Sequence, residues 1–375
     1  MKILIIGRGI PSEEYPLNGI FEFDQAKALS GIGHEVIYLG LDLRSIRRKR
    51  RWGIVEYEEN GVKIIEANIP CGQIPKELLI RIGKDTLKGI LRKYVNIKSF
   101  DIVHVHFTDL AIIASKVIDS SGTCLVITEH SSEISEMKMN KKRYIAIERA
   151  YKKASKVLAV SSSFCRHIYR EFDVKTECIN NIVDTNAFLY NPIQRPTDKF
   201  VFVATARLIP GKRVDLLLDA FQQLIEKKKQ VFLYIVGDGT EKDNLLKSIK
   251  DKNLDEYVHL CGGLERKDIN NVYSKSHCFV LPSVSETFGV VYIEAMASGL
   301  PVIATKCGGP EDFVNQENGI LIEVDNLCEL VTAMESVMGN YYKYDGQKIS
   351  EYVVERFSPQ MIANQLVDVY NTLLK

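Results

Sequence analysis

A chain of 375 residues is long for one hydrophobic core and comfortable for two domains. With 46% hydrophobic and 26% charged residues, a net charge of +1 and no repeat at a fixed period, the composition argues against disorder and solenoids. The apolar runs fall far short of the roughly 20 residues that span a bilayer, and "MKILIIG" lacks the length and cleavage site of a secretory leader, so a cytoplasmic setting is expected. Short β-branched runs alternate with helical patterns, which predicts an α/β protein with parallel sheets covered by helices. In chain order, strands are expected at 2–7, 35–40, 62–67, 102–107, 124–129, 156–161 and 176–180, with helical spacing over 19–30 and 110–119. A polar, Pro-containing stretch at 190–199 reads as a linker. The pattern then restarts with strands at 200–206, 231–237, 257–262, 278–282, 301–305 and 319–323. Each half has strands enough for its own Rossmann-like, doubly wound sheet, one domain over 1–183 and the other over 184–358. Ligands bind beyond the carboxyl ends of strands in such sheets, so two facing sheets would place an active site in the cleft between them.

Charge is divided unevenly. Residues 1–183 carry an excess of seven positive charges and 184–375 an excess of six negative ones. The stretch 44–52, "RSIRRKRRW", holds Arg44, Arg47, Arg48, Lys49, Arg50 and Arg51 and ends in the only tryptophan, Trp52. It reads either as a solvated loop or as a peripheral contact with an anionic membrane, each cation near the surface contributing about 1 kcal/mol. Nucleic acid is not expected, because the charge is confined to one loop with no stacking platform. Eight cysteines are scattered singly, without a C-x-x-C pair or a histidine cluster at zinc spacing, so no metal is expected.

Chemistry gathers at the strand ends of the second half. Arg207 and Lys212 flank a Pro-Gly turn after the strand at 200–206, and two cations there suit a diphosphate. The next strand runs into "GDGTEKDNL", a glycine turn opening a helix and offering amides to an anion. Then comes "SVSETFGVVYIEAMASGLPVIATKCGGPEDF", residues 283–313. Glu286 falls in the loop before a helix expected at 290–298, and the amides at 287–291 form a helix start that favours phosphate. Glu294 lies more than one turn inside that apolar helix. If buried it needs a hydrogen-bonded partner, and the vicinal hydroxyls of a sugar fit. The alternative on physics alone makes Glu294 a helix-surface residue and Glu286 a complement to the helix dipole.

The stretch "SETFGVVYIEAMASGLPVIATKCGGPEDFV" resembles the signature of the family 4 retaining glycosyltransferases of the GT-B fold, in which a Glu, seven residues and a second Glu precede "AMASGLPVIA". "ARLIPGKRVDLLLDAF", "IVGDGTEKDNL" and "HLCGGL" follow in the family's order, and "GHEV", "DIVHVH", "VLAVSSSF" and "NNIVDTNAF" are weaker landmarks. The resemblance implies that Glu286 faces the donor sugar near the reacting carbon and that Glu294 holds the nucleotide ribose. It also implies that Arg207 and Lys212 hold the diphosphate with the amides of Phe288, Gly289, Val290 and Val291. His130, in "TEHSSE", matches the active-site histidine, while His104 and His106 read as packing or hydrogen-bonding residues. Where the family has a Gly-Gly pair this chain has Asn18 and Gly19, so only Gly19 is assigned close approach to the diphosphate. "NIVD" at 181–184 replaces "NGVD" and leaves no reason for a special backbone at Ile182. Leu264 lies in the loop expected to meet the base, and the last helix, about 359–375, is expected to join the first domain.

The implied reaction moves a glycosyl group from a nucleoside diphosphate sugar to a hydroxyl with retention and without a divalent metal, the leaving phosphate taking the acceptor proton. Uridine diphosphate sugars are the commoner donors, and no further cofactor is implied. The basic first domain would take the acceptor, a glycan or lipid-linked saccharide of cell-surface polysaccharide synthesis. A nucleotide-sugar epimerase on the same fold, or a silent binding homologue, is the alternative. A nicotinamide oxidoreductase is set aside, because "GRGIPS" supplies only two of the three glycines of its fingerprint.

Overall fold

A computed structural model describes residues 1–44, 46–118, 122–191, 195–227 and 230–375 of the chain. Part of the expected linker, 192–194, lies outside the described residues, as does position 119 at the end of one expected helix. The chain forms two compact units, Met1–Ile182 with Pro359–Lys375, and Val183–Ser358.

The first unit is built on β1 (Lys2–Gly7), β2 (Glu35–Asp42), β3 (Gly53–Glu59), β4 (Val62–Asn68), β5 (Ile102–His106), β6 (Cys124–Glu129), β7 (Lys156–Ala159) and β8 (Thr176–Cys178). They form one sheet in the order β3-β4-β2-β1-β5-β6-β7-β8, parallel throughout except for β3. Ile3, Leu4, Ile5 and Ile6 of β1 are all buried, as expected when helices cover both faces of a parallel sheet. Those helices are α1 (Ile20–Gly31), α2 (Lys76–Lys93), α3 (Thr108–Ser115), α4 (Ser132–Glu136), α5 (Lys141–Lys153) and α6 (Ser162–Phe172), together with α13 (Pro359–Leu373) from the far end of the chain. α13 lies along α1 and puts Ile362, Ala363, Leu366 and Tyr370 into one core with Ile3, Ile5, Phe23 and Val36.

β3 is an element that the sequence pattern passes over. It pairs antiparallel with β4 through Asn60 and Gly61, at φ 52° and 72°. Two successive left-handed residues are what a tight hairpin turn needs, and an Asn-Gly pair supplies them cheaply. β3 is mostly exposed and therefore lacks the apolar runs that mark the other strands.

The loop before β3 also departs from the expected solvated or membrane-facing patch. Asp42, at the end of β2, is buried, and a buried carboxylate without partners is costly. Arg50 forms an ion pair with it, Arg48 and Arg44 approach it at 3.8 and 4.0 Å, and the Arg44 N–H donates to it at 2.9 Å. Arg44, Arg48 and Arg50 are thus drawn inward, leaving Arg47, Lys49, Arg51 and Trp52 exposed. Among the described residues no helix is long and apolar enough to cross a membrane.

The second unit has six parallel strands, β9 (Phe200–Thr205), β10 (Val231–Val236), β11 (Val258–Gly262), β12 (Cys278–Leu281), β13 (Val302–Thr305) and β14 (Gly319–Ile322). Their order is β11-β10-β9-β12-β13-β14, so the direction of winding reverses between β9 and β12. Its helices are α7 (Val214–Lys227), α8 (Lys242–Asp251), α9 (Arg266–Ser274), α10 (Val290–Ala297), α11 (Leu327–Gly339) and α12 (Gly346–Phe357). The start of α10 is anchored by Phe288, whose ring meets Phe313 at 5.4 Å and Phe357 at 5.7 Å. The corresponding reversal in the first unit falls between β1 and β5.

Candidate active site

Open parallel sheets bind ligands where the winding reverses. In the second unit that point brings the loops after β9 and β12 together, because the Val284 N–H donates to the Gly211 carbonyl at 2.9 Å. Glu286 is pinned by its backbone to the loop after β13. Its N–H donates to Cys307 at 3.1 Å, and its carbonyl accepts from the Gly309 N–H at 2.9 Å. A side chain at Gly309 would collide with Phe288, its Cβ falling 2.1 Å from the Phe288 carbonyl oxygen, so only glycine allows this approach. The Glu286 Oε1 accepts from Lys212 Nζ at 2.6 Å and from Ser283 Oγ at 2.8 Å. Beside them, burial pushes the Cys307 thiol up to about 12, which keeps it uncharged.

The two cations expected to meet the diphosphate differ in state. Lys212 is locked onto Glu286, whereas the Arg207 side chain is exposed and makes no recorded ion pair or hydrogen bond among the described residues. In the glycine turn after β10 the amides of both glycines are already taken. The Gly237 N–H donates to Gly262, and the Gly239 N–H is taken by the Asp238 carboxylate at 2.7 Å. Its glycines serve packing instead, since a Cβ at Gly239 would stand 2.2 Å from the Leu208 carbonyl oxygen, beside Arg207.

α10 supplies the amides. Gly289 caps it at φ 95° without a side-chain bond, Phe288 is buried, and Val290 and Val291 are half-buried. The first-turn N–H groups of a helix have no acceptor within it and sit at the positive end of its dipole. Glu294 is buried on the same helix, 4.0 Å from Arg266 Nε, while Arg266 Nη1 reaches Asp184 at 3.6 Å. The Tyr273 hydroxyl, pushed well up by burial and by the Glu294 charge, lies beside it. Arg266 and Asp184 are not foreseen from the sequence, because nothing local separates them from surface charges. Leu264, half-buried, precedes α9 by two residues.

In the first unit the reversal point carries a stack. Phe107, after β5, sits at φ 67° and ψ 151°, a conformation that costs a non-glycine residue of order 1–3 kcal/mol and is found mostly where function over-determines it. Arg8, after β1, lies 3.1 Å over the Phe107 ring, and Phe107 stacks on His130 at 4.6 Å. His130 Nε2 is 3.0 Å from His106 Nδ1, and its backbone N–H donates to the buried Glu129 carboxylate. His104 bonds the Tyr370 hydroxyl and Thr128, both at 2.7 Å, so His104 and His106 serve in packing and hydrogen bonding as expected. Burial holds all three imidazoles well below their ordinary value and therefore neutral at pH 7. His130 Nδ1 is buried without a hydrogen bond. Gly19 caps α1 at φ 71°, and the close approach it permits is to Gly9, whose carbonyl oxygen would stand 2.1 Å from a Cβ. Ile182 is not among the residues at positive φ.

Comparison with known proteins extends this picture. The models for Glycosyltransferase Family 4 and for Glycosyl transferases group 1 match residues 23–187 and 188–355, together an almost unbroken run. The poly(ribitol-phosphate) alpha-N-acetylglucosaminyltransferase of Staphylococcus aureus (strain COL) is 30% identical over 61% of this chain and 46% of its own length. The chain spans about half the length of several curated relatives it matches. Among solved structures, sucrose-phosphate synthase from Thermosynechococcus elongatus superposes with a TM-score of 0.83 at 20% identity, over 100% of this chain and 99% of that one. Anabaena HepE in complex with UDP-glucose does so with a TM-score of 0.75 at 20% identity, over 99% and 100%. Fold and family models agree, and the chain belongs to the family 4 glycosyltransferases, with the two parallel-sheet α/β domains of the GT-B fold.

Proposed function

We propose that the chain is a retaining glycosyltransferase that moves a sugar from a nucleoside diphosphate sugar, uridine in preference to guanosine, to a hydroxyl of a glycan or lipid-linked saccharide. The observation that carries this reading is the Lys212–Glu286–Ser283 cluster set beside the open start of α10 at the winding reversal. An arriving diphosphate is a stronger partner for Lys212 than Glu286 is. With Arg207 and the amides of Phe288, Gly289, Val290 and Val291, Lys212 then holds the two phosphates and stabilises the charge that grows on them as the glycosidic bond breaks. Glu286, released from Lys212 and steadied by Ser283, accepts a hydroxyl of the donor sugar. Glu294 accepts the ribose hydroxyls while Arg266 keeps it ionised, and Leu264 borders the base.

His130, kept neutral, offers Nδ1 to a substrate hydroxyl. No carboxylate is needed as a nucleophile, since the leaving phosphate takes the acceptor proton on the face it leaves, which preserves configuration. Cations and amides suffice for the phosphates, so no divalent metal is required. HepE has been solved with UDP and with UDP-glucose, which supports a uridine donor here. The named activity of the Staphylococcus relative on poly(ribitol-phosphate) supports an anionic acceptor from cell-surface polysaccharide synthesis, taken by the first unit with its positive excess. Any peripheral membrane contact on the cytoplasmic face rests on Arg47, Lys49, Arg51 and Trp52.

The test is release of free nucleoside diphosphate from a panel of UDP and GDP sugars, with and without chelator, and anomeric assignment of the product by NMR. Tight UDP binding without release from any donor would mark a silent homologue. An inverted product or a strict metal requirement would refute the mechanism.

A further inference from the structure

The arginines drawn in around Asp42 form more than a latch. Asp42 ends β2, the Arg44 amide stands two residues past it and Arg8 just past β1, so the cluster lies on the carboxyl-end edge of the first unit's sheet. Four guanidiniums, Arg8, Arg44, Arg48 and Arg50, are set against the carboxylates of Asp42, Glu22 and Glu66 and leave the cluster positive. Arg50 is nine-tenths buried, and its Nη2 donates to the carbonyls of Asp42, Arg44 and Ile69 at 3.4–3.5 Å, while its Nε has no hydrogen-bond partner; the buried Nη1 of Arg48 makes no hydrogen bond either and meets Asp42 only at 3.8 Å. Unmet donors of this kind cost free energy unless something accepts from them. Arg48 is held in place by the Tyr15 ring, 4.5 Å from its guanidinium carbon. Burial and the like charges of Arg8 and Arg48 depress Arg44 to about 10, so these cations repel one another.

We propose that Arg8, Arg44, Arg48 and Arg50 form a binding site for a phosphate group carried by the acceptor. Guanidinium forks match phosphate oxygens in pairs, and four arginines against three carboxylates leave one positive charge for a phosphate to meet. Asn18 Oδ1, buried without a partner in the same corner, calls for a hydroxyl donor beside the phosphate, as a sugar or polyol provides. The assignment rests on the acceptor-side reading of the first unit, and its test is independent of turnover.

Trp52 is the only tryptophan and lies two residues beyond Arg50, so its emission reports on this loop. Inorganic phosphate is titrated against chloride at matched ionic strength. A saturable phosphate response is expected, weakened at least tenfold in Arg44→Gln/Arg48→Gln and unchanged in Arg207→Ala/Lys212→Ala, whose cations belong to the second unit. Should the double variant fail to fold, Arg48→Gln alone is expected to weaken binding at least threefold. A response matched by chloride, or one that these glutamine variants leave intact, overturns the site. Sedimentation with vesicles of equal parts phosphatidylcholine and phosphatidylglycerol separates the sources. Pelleting lost in the glutamine variants places the phosphate on a lipid, and a phosphate response without pelleting places it on a soluble acceptor. Failure here leaves sugar transfer standing, and failure of nucleotide release leaves this site standing.

Discussion

Acidification should weaken the first unit by an amount that its histidines set. His104, His106 and His130 are buried and held neutral, whereas in the unfolded chain each takes up a proton near pH 6.5. The unfolded state therefore binds more protons below that pH, and stability falls as pH drops through it toward the much lower folded values. From pH 7 to 5.5 the loss is about 1.25 kcal/mol per histidine, or roughly 3.7 kcal/mol for the three. Glu129 works the other way, since burial raises its carboxyl, so a difference between variants is more telling than an absolute slope. His106→Asn keeps a polar atom near the one that meets His130 while removing one titrating ring. Urea unfolding followed by Trp52 emission and circular dichroism at both pH values should show the acid loss shrink by about 1.25 kcal/mol in the variant. An acid loss unchanged by His106→Asn would refute the argument that this ring stays neutral in the folded state.

Glu286→Gln should leave donor binding within roughly tenfold but lower turnover by on the order of 100-fold, as for a group acting mainly in the transition state; a fully active variant would remove Glu286 from the mechanism. Lys212→Ala and Arg207→Ala should each weaken UDP binding more than uridine binding by calorimetry, and equal losses for both ligands would indicate a folding defect. Gly309→Ala should destabilise the second unit by roughly 2 kcal/mol or more, because its Cβ meets the Phe288 backbone, which cannot swing aside. A wild-type unfolding midpoint in that variant would show that the β13 loop is freer than described.

The sheets were legible because parallel strands buried on both faces read as unbroken apolar runs, as "KILIIG" and "VFLYIV" do. β3 was not, since an exposed edge strand needs no such run, although Asn60-Gly61 was the available signal. Lys212 and Glu286 were legible as strand-end residues, but their contact with each other and the part of Ser283 were not, because they depend on how the two loops meet. The inward turn of Arg44, Arg48 and Arg50 was hidden by the habit of charged residues to face water. Its cue was small: an acidic residue ending an apolar strand, in "YLGLDL", just before the arginines. Arg266 with Asp184, and the left-handed Phe107, depend on tertiary placement that no local pattern encodes.

The return of α13 to the first unit bears on the order of folding during synthesis. Tyr370 seals the core that Ile3 and Ile5 open and bonds His104, so that core cannot close until the ribosome has read past residue 370. The second unit is contiguous and can fold as it emerges. At about 5–20 residues per second the first sheet waits on the order of 10 to 40 seconds with the α1 face uncovered. During that interval the nascent chain exposes Ile3, Phe23 and Val36, and a chaperone that shields this face would find its client here rather than in the finished protein.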